Sequence, residues 1–314
     1  MIARDWLLLI ILSTVWGGSF FFFEVALQTL PPFTVVLGRV SMAAAALLVI
    51  ARIRGEPLPF SATIARRYLL LGAISNAIPF SLIVWGQTQI PSGLASIINA
   101  MTPIWAVLVG LLIRSDERMT AGKAIGVGLG FLGVAVLMGP DLLRELDPYS
   151  LGQLSVLGAT ISYGFAVHYG RRFGATSALV NAAYMLTAAT VWLLPVAILV
   201  DHPWTLSPGL SGWTALLGLS LICTAFAFLL YFRLLASAGA TNMSLVTFIV
   251  PVSAISLGAL FLGERLGPTA FAGMGILFVG LAIIDGRAAR MLRTGTHALW
   301  SGLLGRRVVS KRPE

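Results

Sequence analysis

Apolar and polar residues scarcely alternate in this chain; the apolar ones run in long blocks, broken by short clusters of charge, proline and glycine. A helix needs about 20 mostly apolar residues to cross the ~30 Å hydrocarbon core of a bilayer. Blocks of this kind cover residues 6–26, 33–51, 68–88, 91–113, 122–139, 150–170, 177–200, 210–232, 241–262 and 268–285. The pattern predicts an all-α polytopic membrane protein with ten transmembrane helices. The pieces between them, such as "QTLPP" at 28–32 and "GERLGP" at 263–268, leave no room for a soluble domain. The first block resembles the core of a signal peptide, but its apolar run outlasts the usual roughly 7–15 residues and no small-x-small cleavage site follows. It is read as helix one.

Composition agrees. The chain has 314 residues, 58% of them hydrophobic and 11% charged, where soluble domains carry about a quarter charged residues. Mean hydropathy is +0.92. The net charge of +9 is unevenly placed. With the N-terminus inside, one set of connections holds Arg52, Arg54, Arg66, Arg67, Arg114, Arg118, Lys123, Arg171, Arg172 and Arg233, and the other holds only Arg144 and Arg265. The excess places both termini in the cytoplasm and the protein in the cytoplasmic (inner) membrane. The basic tail, 287–314, then lies beside anionic inner-leaflet lipid, and the charge gives no reason to invoke nucleic acid. The lone Cys223 excludes a disulfide framework and a thiolate metal site. No G-x-x-x-x-G-K-[ST], H-E-x-x-H or G-x-S-x-G stretch occurs, so no cofactor, metal or catalytic machinery is expected.

One stretch, Gly128-Leu-Gly130-Phe-Leu-Gly133, spells the G-x-G-x-x-G of a dinucleotide-binding turn. Such a turn follows a strand and opens a helix, whereas these glycines sit inside an uninterrupted apolar span. Their meaning comes from a second copy: Glu117, Gly126, Gly128 and Gly133 recur at the same intervals as Glu264, Gly273, Gly275 and Gly280. Pro103 and Pro251 lie upstream in both copies. Gly72, Phe80 and Trp85 of helix three match Gly218, Phe226 and Tyr231 of helix eight. The chain is therefore two five-helix units, 5–140 and 149–286, followed by the tail. Five is odd, so the second unit enters the membrane from the opposite side. This is the inverted repeat with which secondary transporters alternate access to a site near the bilayer midplane. The repeated glycines are read as close-packing positions.

"STVWGGSFFF" (13–22), "LGRVSMAAAALL" (37–48), "SIINAMTPIWAVLVGLL" (96–112) and "MSLVTFIVPVSAISLGALFLGERLG" (243–267), in this order, resemble the EamA-type members of the drug/metabolite transporter superfamily. The resemblance covers residues 5–286. Two departures are Tyr163, where the family often has Trp, and an extra residue before Glu117. The resemblance implies a secondary transporter of small organic metabolites, with a cavity lined by helices one, three and four and by six, eight and nine. Amino acids and related compounds, moved outward, are the leading substrate class. A membrane-embedded enzyme acting on a lipid-borne substrate and a non-transporting scaffold are the alternatives.

Polar and aromatic residues inside spans mark the candidate site. Trp16 and Tyr163 are repeat-related and near mid-span, where they are expected to wall a cavity. Trp85 and Tyr231 stand closer to span ends and are read as interfacial. Asn76, beside Ser75, and Asn99 offer hydrogen bonds. Asn99 precedes Pro103 by one turn, as Thr247 precedes Pro251; both prolines are expected to break their helices for binding or gating. Glu24 and Arg39 lie in the same half of helices one and two, close enough in depth to pair, and are the candidates for ion coupling. His168, Glu117, Glu264 and Asp285 are assigned structural roles at helix ends.

Overall fold

The computed structural model describes residues 2–113, 119–139, 147–173 and 177–286. Glu117 and the 287–314 tail lie outside the described residues. Ten helical segments are present: α1 (Ala3–Leu27), α2 (Pro32–Ile53), α3 (Ala62–Gln87), α4 (Ser92–Leu112), α5 (Ala121–Met138), α6 (Pro148–Gly170), α7 (Ala178–Asp201), α8 (Leu210–Gly239), α9 (Val246–Phe261) and α10 (Pro268–Asp285). Nine have 18 residues or more and enough hydropathy to span a membrane, while α9 is shorter. No strand occurs among the described residues.

Their starts follow local chemistry. Pro32, Pro148 and Pro268 occupy first-turn positions, where a missing N–H costs nothing. Ser61, Thr120, Asp147 and Ser177 accept a hydrogen bond from the backbone N–H three residues on. The expected gap between helices eight and nine is filled instead. Residues 233–243 continue the helix with one interruption at Gly239, whose φ of 78° suits glycine, and a turn at 244–245 then starts α9.

The helices pair across the copies. α1 packs on α9 and α6 on α4; α2 packs on α7; α5 packs on α10. A Cβ on Gly126 would stand 2.5 Å from the Gly280 carbonyl oxygen, and one on Gly280 would stand 2.6 Å from that of Gly126. Gly133 and Gly273 meet in the same reciprocal way, at 2.7 and 2.6 Å. Numbers that rise along α5 meet numbers that fall along α10, so these corresponding helices run antiparallel, as inversion requires. Gly17 and Gly164 repeat the theme. The first would place a Cβ on Ser253 and the Val250 carbonyl oxygen of α9, the second on the Trp105 backbone of α4. Not every repeated glycine packs: Gly128 and Gly275 have open space around them, and Gly130, absent from the second copy, abuts Ile104.

The third helix of each copy is locally widened into a π turn, Ala73–Ala77 in α3 and Gly218–Phe226 in α8. Such turns expose backbone polar groups and gather at functional positions.

Candidate functional site

The region between the copies forms around these irregular segments. In α3, Pro79 follows the π turn, and the freed Ile74 carbonyl accepts a hydrogen bond from Ser162 Oγ of α6 at 2.7 Å. Leu82 O accepts from Ser155 Oγ at 2.7 Å. Asn76 is buried at the turn and donates through Nδ2 to Ser75 Oγ at 2.8 Å. Ser162 neighbours Tyr163, so the α3 turn and one proposed cavity wall are held together by side chains of opposite copies.

Arg39 is 5% exposed. Its Nε donates to Thr224 Oγ1 in the α8 π turn at 2.9 Å, and its Nη2 to Ser19 Oγ at 3.4 Å. The guanidinium lies 4.0 Å from the Phe80 ring centroid and 4.9 Å from that of Phe23. Four spans of both copies thus converge on one cation, which has hydroxyls and ring faces for company and no carboxylate among the described residues.

Glu24 is accordingly not its partner, contrary to the expectation from depth alone. Phe23 and Glu24 are consecutive on α1 and point about 100° apart; Phe23 faces Arg39, and Glu24 faces a cleft shared with Gln87 and Glu264. The carboxylate of Glu264 accepts from the backbone N–H groups of Ser92 and Gly93, at 2.9 and 3.1 Å. It therefore caps α4 of the other copy rather than its own helix, and Gly258 leaves room for it. Asp201 caps α2 similarly through Thr34, at 2.6 Å to the N–H and 3.0 Å to the hydroxyl.

Trp16 is half-buried and packs on Tyr231, ring centroids 5.7 Å apart. Tyr231 continues an aromatic group with Phe228 and Phe232, so it packs with Trp16 and does not stand alone; Trp85 is 39% exposed. The Asn99 carbonyl accepts from Thr102 Oγ1 at 2.8 Å where α4 breaks, at 100–101, just before Pro103. Asn99 Oδ1 and Trp105 Nε1, on either side of that break, are buried without partners. The second copy departs here. Pro251 lies inside the continuous helix Val246–Phe261 and does not break it, because the interruption has moved upstream to Gly239 and the 244–245 turn. Thr247 is half-buried in the first turn of α9. His168 donates from Nε2 to the Ala106 carbonyl at 2.7 Å, a tie between α6 and α4.

Three groups escaped the sequence reading. Gln87 is 3% exposed and donates through Nε2 to the Phe20 carbonyl at 2.9 Å. Ser253 bridges to the Ser13 carbonyl of α1 at 3.1 Å. Thr224 holds Arg39. Each has a short or neutral side chain inside an apolar block, and only the depth match with a partner on another helix could have revealed it. Among the described residues no group of three or more His, Cys, Asp or Glu is arranged to hold a metal ion.

Comparison with known proteins gives the same picture at the level of the chain. The model of the EamA-like transporter family matches residues 5–139 and again residues 150–285. The uncharacterized transporter YvbV of Bacillus subtilis is 28% identical over 291 residues, covering 90% of this chain and 92% of that protein. The uncharacterized inner membrane transporter YedA of Escherichia coli K12 is 24% identical over 274 residues, 87% of this chain and 88% of the other. A protein of Streptantibioticus cattleyicolor named a probable terminal-alkyne amino-acid exporter is 26% identical over 287 residues, 89% and 92% of the two chains. A solved crystal structure shares the fold with a TM-score of 0.65 at 17% identity, covering 90% of this chain and 98% of its own.

Proposed function

The chain belongs to the EamA-like transporter family of the drug/metabolite transporter superfamily, and from that premise we propose that it carries amino acids or related small metabolites outward across the cytoplasmic membrane by alternating access. The observation that carries the reading is the reciprocal packing of Gly126 on Gly280 and Gly133 on Gly273. Two like units in opposite orientation, 5–140 and 149–286, can exchange conformations and so open a shared site to either side. A relative named as an amino-acid exporter supports the substrate class and direction. The positively charged connections favour cytoplasmic termini.

In this reading Trp16, Asn76, Asn99, Tyr163 and Thr247 line the substrate path. Pro103 loosens α4 beside Asn99, and Pro251, within its continuous helix, adds a local weak point. The buried Arg39 and the half-buried Glu24 are the groups available for coupling to an ion or to a charged end of the substrate. The test is export. Cells overproducing the protein should release more of at least one amino acid than control cells and should tolerate its toxic analogues better, and Trp16→Ala or Tyr163→Ala should reduce release about tenfold at equal membrane levels. Equal release with and without the protein, across a panel of amino acids and small metabolites, would overturn the reading.

A further inference from the structure

Glu24, Gln87, Glu264 and the 88–91 connection line a cleft of about 280 Å³ at one end of the bundle. It is unusual in what its polar atoms lack. Gln87 is 3% exposed, and its Nε2 donates to the Phe20 carbonyl. A carbonyl only accepts, so the orientation of the amide is fixed. Gln87 Oε1, which is buried, is left without a donor, and so is Glu24 Oε2. Glu24 and Glu264 bring two carboxyl groups to this one cleft. Glu264 is compensated by two amides at the start of α4; Glu24 has the Gln87 side chain beside it, and its Oε2 keeps no donor. Both unsatisfied atoms are acceptors, buried on residues that line a cleft carrying two carboxyl groups.

We propose that this cleft binds a small monovalent cation, with Glu24 Oε2 and Gln87 Oε1 as its protein ligands. Two free acceptors suit a partly hydrated monovalent ion or an ammonium group. A divalent ion such as calcium takes about 6–8 oxygens, more than these side chains supply. The repeat makes the site one-sided. The correspondence that pairs Trp16 with Tyr163 puts Glu24 on Arg171, and that pairing Trp85 with Tyr231 puts Gln87 on Arg233; both arginines are exposed. The inverted position at the other end of the bundle therefore carries positive charge where this end carries acceptors, and a cation finds the site at one face only.

The proposal rests on Glu24 as the coupling group, but it is read by binding and not by flux, so its failure leaves the transport reading standing and the converse also holds. The full-length protein in detergent is melted in sodium, potassium or methylammonium chloride, with choline chloride holding ionic strength constant. A saturable rise in melting temperature is expected with at least one small cation, and the arms separate a metal ion from an ammonium group. Glu24→Gln should abolish the rise while melting close to the wild type in choline. If that variant does not fold, Glu24→Asp should raise the half-saturating concentration about tenfold. No saturable rise with any of the three, wild-type saturation in either variant, or stabilisation by acid alone, which would indicate a proton site, would overturn it.

Discussion

Arg39 brings a permanent charge among four helices and finds there two hydroxyls and two ring faces. Taking such a group out of water costs several kcal/mol before its partners are counted, and hydrogen bonds to a charged donor return about 1.5–3 kcal/mol each. The planar fork makes this feasible, since Nε can reach Thr224 while the flat face lies over Phe80. Arg39→Lys keeps the charge but loses both features. It should lower stability by about 1–3 kcal/mol, seen as a lower melting point in detergent; an unchanged melting point would show that the guanidinium geometry contributes nothing. The residue was legible in the sequence as a charge inside a span, but its partners were not. Depth along a helix can be counted from the sequence, whereas direction around it depends on which face meets which neighbour. That is why Glu24 and Arg39, matched in depth, look to different places.

Among the elements, α5 and α10 show how much of a repeat is written in the spacing of its residues. Spacing identified four matching positions in each copy, but packing uses only Gly126, Gly133, Gly273 and Gly280, and leaves Gly128 and Gly275 in open space. A stripe of small residues curls around a helix, so part of it turns away from the contact. Gly133→Val should destabilise by about 1–3 kcal/mol or more, because its Cβ would meet backbone that cannot rotate away. Gly128→Val should stay within about 0.5 kcal/mol of the wild type. Thermal unfolding in detergent separates the two, and equal effects would place the contact elsewhere. The loop acid Glu264 also acts at this scale. Glu264→Ala removes both acceptors of the Ser92 and Gly93 amides and should cost about 0.5–2 kcal/mol, measured in the same way. The prolines tell the complementary story. Pro103 marks a real break in α4, whereas the same residue type in α9 leaves a continuous helix, because Gly239 and the following turn take up the change of direction.

At the level of the molecule, the ten spans and their inversion follow from apolar block lengths and an odd helix count, which bilayer thickness makes nearly compulsory. What lies between the copies does not follow in that way. Thr224, Gln87 and Ser253 became recognisable only when the π turns and crossings placed hydrogen-bond partners opposite them. The two copies share a scaffold but differ at corresponding positions: Trp16 against Tyr163, Asn99 against Thr247, Glu24 against Arg171. In the proposed mechanism, symmetry of the scaffold lets both orientations of the site be reached, and the differences between the copies give the two faces different chemistry. Counterflow tests this most directly. Liposomes containing only this protein and preloaded with an unlabelled amino acid should take up the labelled form faster than empty ones, with saturation, for at least one member of an amino-acid panel. Uptake that never exceeds protein-free liposomes and never responds to preloading, across amino acids and other small metabolites, would contradict transport by alternating access.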